Sequence, residues 1–297
     1  MSKMENLWQS SPWACLQKSL GNTVFFVEDI LLIQRKLPLG KTLLEIPRAC
    51  PTEKQWHTIL QEAKQRKSIA IRIAPNRENT VLPKGFFALR SASQRFPEYT
   101  RIIPLSGSEE EIFSGFSSTG RRHIRQAEKN SVMISVSGDT EQFSNLIKKT
   151  ASRDGFSAHG KEYFQKFLKA FGEHAILLVA QDEKEWLAAG IFVFWKNTGT
   201  YYYGASIDPS RNKNAPTLIQ WRAIQEAKKR GCTEYDFLGV APENDPNHRL
   251  ARVSTFKKKF GGEVEKYAPE TYLLISPFVF FLLNSGKVLR NLFRKKM

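Results

Sequence analysis

The sequence predicts an α+β fold made of two related halves. Short apolar strands alternate with capped, amphipathic helices along the 297 residues. Three consecutive strands with tight turns form a meander between Ala175 and Ala205. The first hundred residues show a shorter version of the mixture that follows Val132, although no close repeat is present. Pro104, Gly107, Gly115 and Gly120 cluster at a seam near 105–120.

Taken in order, Thr23–Val27 and Ile30–Gln34 read as strands about a Glu28-Asp29 turn. Thr42–Ile46 reads as a third, stopped by Pro47. Thr52 and Gln55 make a capping box ahead of Trp56, Ile59, Leu60 and Ala63 at helical spacing. Ser68–Ile73 reads as a strand that Pro75 ends. Ser108 and Glu111 form a second capping box before Ile112, Phe113 and Phe116. A helix over Arg121–Lys129 and a strand over Val132–Val136 follow. Asp139 with Gln142 opens a helix through Thr150, and Lys161–Phe171 is another. The meander strands are Ala175–Ala180, Trp186–Trp195 and Thr200–Ala205. Ala215–Arg230 reads as a long helix with Gly231 at its stop position. Strands at Glu234–Phe237 and Val264–Tyr267 flank a helix over Leu250–Phe260.

Apolar residues make up 41% of the chain and charged residues 25%, which excludes a disordered or collagen-like protein. Lys plus Arg number 45 against 29 Asp plus Glu, a formal charge of +16. That imbalance points to polyanionic partners: nucleic acid, phosphorylated metabolites or an anionic membrane face. Cys15, Cys50 and Cys232 form no CxxC pair, so neither a disulfide framework nor a zinc site is expected. No HxxxH or HExxH motif is present either. With no apolar run of about 18 residues and no secretory signal at Met1–Ser11, the expected compartment is the cytoplasm.

Five segments then occur in a telling order. They are Ser118-Thr119-Gly120-Arg121-Arg122-His123-Ile124-Arg125, the stretch Arg153 to Phe164, and Tyr201-Tyr202-Tyr203-Gly204-Ala205-Ser206 with Ala215-Pro216 and Trp221. Tyr235-Asp236-Phe237-Leu238-Gly239 and Phe256-Lys257-Lys258-Lys259-Phe260-Gly261-Gly262 complete it. In this order the second half resembles the Fem-type (FemX/FemA) aminoacyltransferases of peptidoglycan cross-bridge synthesis. The first half matches more loosely, through Gly40-Lys41-Thr42 and Ile46-Pro47-Arg48. The resemblance implies two acetyltransferase-like (GNAT-type) domains sharing a cleft. The first would hold 1–108 plus 268–297 and the second 109–267. Leu178 to Lys213 leaves no room for the helical arm that many relatives carry.

By the same resemblance, the chain would move an aminoacyl group from aminoacyl-tRNA to a stem-peptide amine of a peptidoglycan precursor. The donor ester is already activated, so no cofactor is implied beyond the aminoacyl-tRNA co-substrate. What remains is to orient amine and ester and to stabilise an oxyanion. Lys257 stands at the family's catalytic lysine position, with Phe256 before it. His159 stands where relatives that bind a UDP-linked precursor carry an arginine, and Tyr163 keeps the family's tyrosine. A neutral imidazole supplies no fixed charge near pH 7, which places a UDP-linked acceptor in doubt against a lipid-linked one. Lys18 is the candidate for the first-domain lysine, and Tyr202 or Tyr203 would face the muropeptide. Strand alternation predicts that Tyr201–Tyr203 divide between two faces.

Arg121, Arg122 and Arg125 are candidates for tRNA phosphate contact, against the alternative of a solvated face. Two rival functions stay open. An acyl-CoA-dependent N-acyltransferase would want a glycine-rich pyrophosphate turn, which Arg211-Asn212-Lys213-Asn214-Ala215-Pro216 lacks. A non-catalytic nucleic-acid or membrane-binding protein would not need Lys257. At the C-terminus, Ser276-Pro277 opens a helix with Phe278, Phe281, Leu282, Leu289, Leu292 and Phe293 along one face. Lys287, Arg290, Arg294, Lys295 and Lys296 make it basic, which suits either peripheral contact with the cytoplasmic membrane face or docking on the first domain.

Overall fold

The computed structural model describes residues 6–76, 81–92, 94–183, 185–207 and 213–283. The chain divides into two compact units, 1–98 with 266–297, and 99–265. Elements of the first unit are α1 (Ser11–Ser19), β1 (Thr23–Val27), β2 (Ile30–Lys36), β3 (Thr42–Ile46), α2 (Glu53–Gln65), β4 (Ser68–Ile73) and β5 (Phe87–Arg90). The second unit begins with β6 (Tyr99–Pro104), α3 (Glu109–Ser114), α4 (Ser118–Lys129), β7 (Met133–Ser137), α5 (Thr140–Asp154) and α6 (Lys161–Phe171). It continues with β8 (Ala175–Asp182), β9 (Glu185–Trp195), β10 (Thr198–Ser206), α7 (Ala215–Lys229), β11 (Glu234–Gly239), α8 (Ala251–Lys258) and β12 (Glu263–Lys266). Strand β13 (Thr271–Leu274) then returns to the first unit, followed by a helical segment at 277–283.

The first sheet has the order β1-β2-β3-β4-β13-β5, with β3 and β4 parallel and the other pairs antiparallel. Helix α2 covers one face. Its Trp56, Ile59 and Ala63 bury against Leu32, Leu44, Ile46, Ile71, Ile73 and Leu273. The capping box forms as its residues predict: the Thr52 side chain accepts the Gln55 N–H, and the Gln55 side chain accepts the Thr52 N–H.

The second sheet has the order β12-β6-β11-β10-β9-β8-β7. Residues 99–108, expected in the first domain, contribute β6 to this sheet, where Ile102 stands opposite Asp236. The meander β8-β9-β10 is antiparallel, and short turns rather than a helical arm join its strands. Helix α7 lies over one face and is buried through Leu218, Ile224 and Ala227 with Phe192 and Phe237. Strand β10 runs parallel to β11, but only from Thr198 to Thr200 against Glu234 to Asp236. Beyond that pair the two strands part, and β11 continues toward Gly239 through an irregular register with β6.

Four elements escaped the sequence reading: α1, β5, β6 and β13. The helix α1 carries its own start signal, a Ser10 side chain accepting the Trp13 N–H with proline in the first turn. Strands β5 and β13 have only four residues each, and β5 is an edge with little burial, so no clean two-residue alternation marks them.

Candidate active site

Lys257 lies where β10 and β11 separate. Its helix, α8, leaves it 5% exposed, and its ammonium donates to the Gly239 carbonyl at 2.7 Å. The Nζ stands 5.9 Å from the centre of the Tyr201 ring on β10. Burial drives its pKa down to about 7, opposed by the nearby Asp236 carboxylate. The group therefore titrates near neutrality, and can serve as a cation at an oxyanion or, once neutral, accept a proton.

Asp236 organises this corner, a role the sequence did not disclose. Its Oδ1 accepts from the Thr100 hydroxyl and, at 2.7 Å, from the Leu238 N–H. An aspartate accepting from the amide two residues on closes a local turn, which holds Leu238 at φ 54° and precedes the Gly239 carbonyl that binds Lys257. Phe256 is half-buried against the same core, with its ring 5.6 Å from that of Phe260. The flanking Gly261 and Gly262 take left-handed φ values of 73° and 69°, and their carbonyls accept from the Arg101 guanidinium at 2.8 and 2.7 Å.

The tyrosines divide between two faces as predicted, but not residue by residue. A bulge in the β9–β10 pairing falls between Tyr201 and Tyr203. Tyr201 stacks on Phe192 among the residues that pack with α7, whereas Tyr202 and Tyr203 both meet Phe167 of α6, at 5.0 and 5.7 Å between ring centres. One extra residue thus re-aims a side chain, as bulges do. Burial pushes the Tyr201 hydroxyl up to about 12 and that of Tyr203 well above its ordinary value.

His159 and Tyr163 join this second cluster. Their rings stack at 3.8 Å and 14°, and the Tyr163 and Tyr203 hydroxyls share a 2.8 Å hydrogen bond. The outer side of His159 meets solvent, while the covered ring face lowers its pKa from the ordinary imidazole value. The candidate residues of the second unit therefore form two groups, Lys257 with Phe256, and His159 with Tyr163, Tyr202 and Tyr203. Lys18 is exposed on α1 of the first unit.

On α4, the Arg121 guanidinium donates to the Ser114 carbonyl at 2.8 Å and to that of Phe116, tying down the α3–α4 turn. Arg122 and Arg125 are exposed, with Arg125 5.6 Å over the Phe113 ring. Arg211 and Asn212, and the basic C-terminal residues Lys287, Arg290, Arg294, Lys295 and Lys296, lie outside the described residues, as do Leu289, Leu292 and Phe293.

Comparison with known proteins follows this geometry. The chain is 24% identical to the lipid II:glycine glycyltransferase of Staphylococcus saprophyticus, covering 89% of this chain and 85% of that one. It is 28% identical to the same-named protein of Staphylococcus haemolyticus, covering 83% and 80%. Among solved structures it superposes on FemX with a TM-score of 0.77 at 20% identity, over 93% of this chain and 94% of the other. It superposes less closely on the L-PGS of Bacillus licheniformis, with a TM-score of 0.57 at 14% identity over 89% and 88%. The fold is thus that of FemX, with one sheet in each of the two units. The FemAB family model matches residues 85–183 and 179–287, and the chain belongs to the FemAB family.

Proposed function

We propose that this protein is an aminoacyltransferase that moves an aminoacyl group from aminoacyl-tRNA to the stem-peptide amine of a lipid-linked peptidoglycan precursor. The observation that carries the proposal is the buried Lys257 ammonium, held by Gly239 at the parting of β10 and β11. The names of the staphylococcal relatives supply the acceptor class. In the reaction the acceptor nitrogen attacks the ester carbonyl carbon, a C–N bond forms, and the carbonyl oxygen becomes an oxyanion. Collapse breaks the ester C–O bond, and the tRNA hydroxyl leaves with the proton that the amine gives up. Lys257 stabilises the oxyanion as a cation. Arg122 and Arg125 meet tRNA phosphates, and the wall of His159, Tyr163, Tyr202 and Tyr203 holds the muropeptide. Coenzyme A is not favoured as donor, because Pro216 occupies the first turn of α7 and removes a backbone donor there.

The test is transfer of label from a pool of charged tRNAs to lipid-linked and UDP-linked precursors. Label is expected on the lipid-linked form. No transfer to either acceptor by folded protein would defeat the proposal.

Two variants refine it. With Lys257 acting as a cation, activity falls as pH rises through about 7, while deprotonation of the acceptor amine acts in the opposite direction. Asp236→Asn keeps an acceptor oxygen for Thr100 and Leu238 but removes the charge that favours protonated Lys257. The alkaline limb of kcat should move to lower pH by roughly one unit, with a small change at acid pH. An unmoved limb would show that Asp236 is structural only. His159→Arg places a fixed cation on the exposed side of the aromatic wall, and should raise kcat/KM for the UDP-linked acceptor by about tenfold. Equal use of the two acceptors by the wild type would remove the basis for that expectation.

A further inference from the structure

The first unit presents a second surface, independent of Lys257. On the sheet face opposite α2, Leu43, Ala70, Leu274 and Phe87 stand in register across β3, β4, β13 and β5. The helical segment 277–283 lies on this row. Phe280 is buried against Ile69, Ala70 and Leu274, and Val279, Leu283, Leu37 and Leu43 pack around it. Its other side is also apolar: Phe278 is 79% exposed, Leu282 55% and Phe281 48%. Residues three and four apart share a helix face, so these three form one outward stripe. A helix apolar on both sides normally has both sides covered.

Two neighbours extend the stripe. Phe87, opposite Leu274 on the edge strand β5, is 59% exposed. Leu39, at the tip of the β2–β3 connection next to the packed Leu37 and Leu43, is 78% exposed and held at φ 60°. The backbone there carries a large apolar side chain in a conformation that usually falls to glycine.

The charged residues within the segments that form this patch are all basic. The segments 36–41, 81–90 and 275–283 contain Lys36, Lys41, Lys84 and Arg90 and no acidic residue. Arg90 is engaged by Glu98 at 2.6 Å, while Lys36 and Lys84 are exposed. We infer that this face docks on an anionic phospholipid bilayer, inserting Leu39, Phe87, Phe278, Phe281 and Leu282 at the interface while the lysines meet lipid phosphates. A second copy fits poorly, because a twofold contact sets this face against itself and brings like charges together. The contact proposed is an interfacial one, and none of the described helices is long and apolar enough to cross a membrane.

The experiment uses the full chain with vesicles of phosphatidylcholine, with and without phosphatidylglycerol. Binding is expected only to the anionic vesicles and should weaken with salt. The combined variant Leu39→Asp, Phe278→Asp and Phe281→Asp should lose about tenfold or more in partitioning. Transfer to a water-soluble acceptor reports separately on the catalytic site. Phe278→Trp gives a second readout, its fluorescence quenched by brominated lipid. A tryptophan that lipid does not quench, or undiminished binding by the combined variant, would overturn the assignment. So would a dimer in solution that the same substitutions dissolve.

Discussion

Lys257→Met is expected to abolish transfer and, at the same time, to make the protein more stable. Loss of one oxyanion donor typically lowers kcat by about 100- to 1000-fold. The stability effect has the opposite direction because the ammonium is buried at a cost. In the unfolded chain the lysine holds its proton up to 10.5, and in the folded one only up to about 7. Below pH 7 both states are charged and the full burial penalty applies. Between 7 and 10.5 the unfolded chain binds more protons, so wild-type stability rises with pH across that window. A methionine of similar length carries no such penalty. The variant should therefore gain on the order of 2 kcal/mol at pH 6, less the lost Gly239 contact, and the gain should shrink from pH 7 toward 10.5. Thermal melts at several pH values, beside a transfer assay, read both effects. A variant that is inactive but less stable at pH 6 would mean that Lys257 is chiefly a structural residue.

Gly262→Ala should strongly destabilise the second unit. A Cβ there would stand 2.2 Å from the Ile102 carbonyl oxygen, a backbone atom that cannot swing aside, and φ is +69°. Strain and overpacking together cost about 3 kcal/mol, or roughly 10 °C in Tm. The effect should reach the site, because Ile102 is the β6 partner of Asp236. Gly138→Ala is the control: it meets nothing within 4 Å and should leave Tm almost unchanged. If the two variants melt alike, the tight approach of the 260–262 turn to β6 is not what fixes this corner.

Much of the fold follows from local chemistry. The helices α2, α3 and α5 start at Thr52, Ser108 and Asp139 because each side chain accepts the N–H groups it faces. Such bonds span two or three residues and need no tertiary partner. The ordered segments from Ser118 to Gly262 likewise brought Lys257, Phe256, His159, Tyr163, Tyr202 and Tyr203 forward from the sequence.

Other features required the assembled chain. Strand β13 finds its place between β4 and β5, far from it in sequence, and four residues carry no period to announce that. The bulge that leaves Tyr203 beside Tyr202 on the α6 side depends on register with β9 and breaks the alternation that the strand alone dictates. The properties of Lys257 were the least legible. The flanking Phe256 and Phe260-Gly261-Gly262 singled out Lys257 over Lys258 and Lys259, but the lysine run alone reads as a solvated charged face and says nothing of burial. The lowered pKa of Lys257 comes from burial where β10 and β11 part, opposed by Asp236, held by a Thr100 that lies 136 residues away. Sequence by itself determined most of the elements, several of their caps and the identity of the chemical groups. The tertiary structure alone decided which groups lose water and which charge stands beside them, because desolvation and electrostatic coupling are set by neighbours in space.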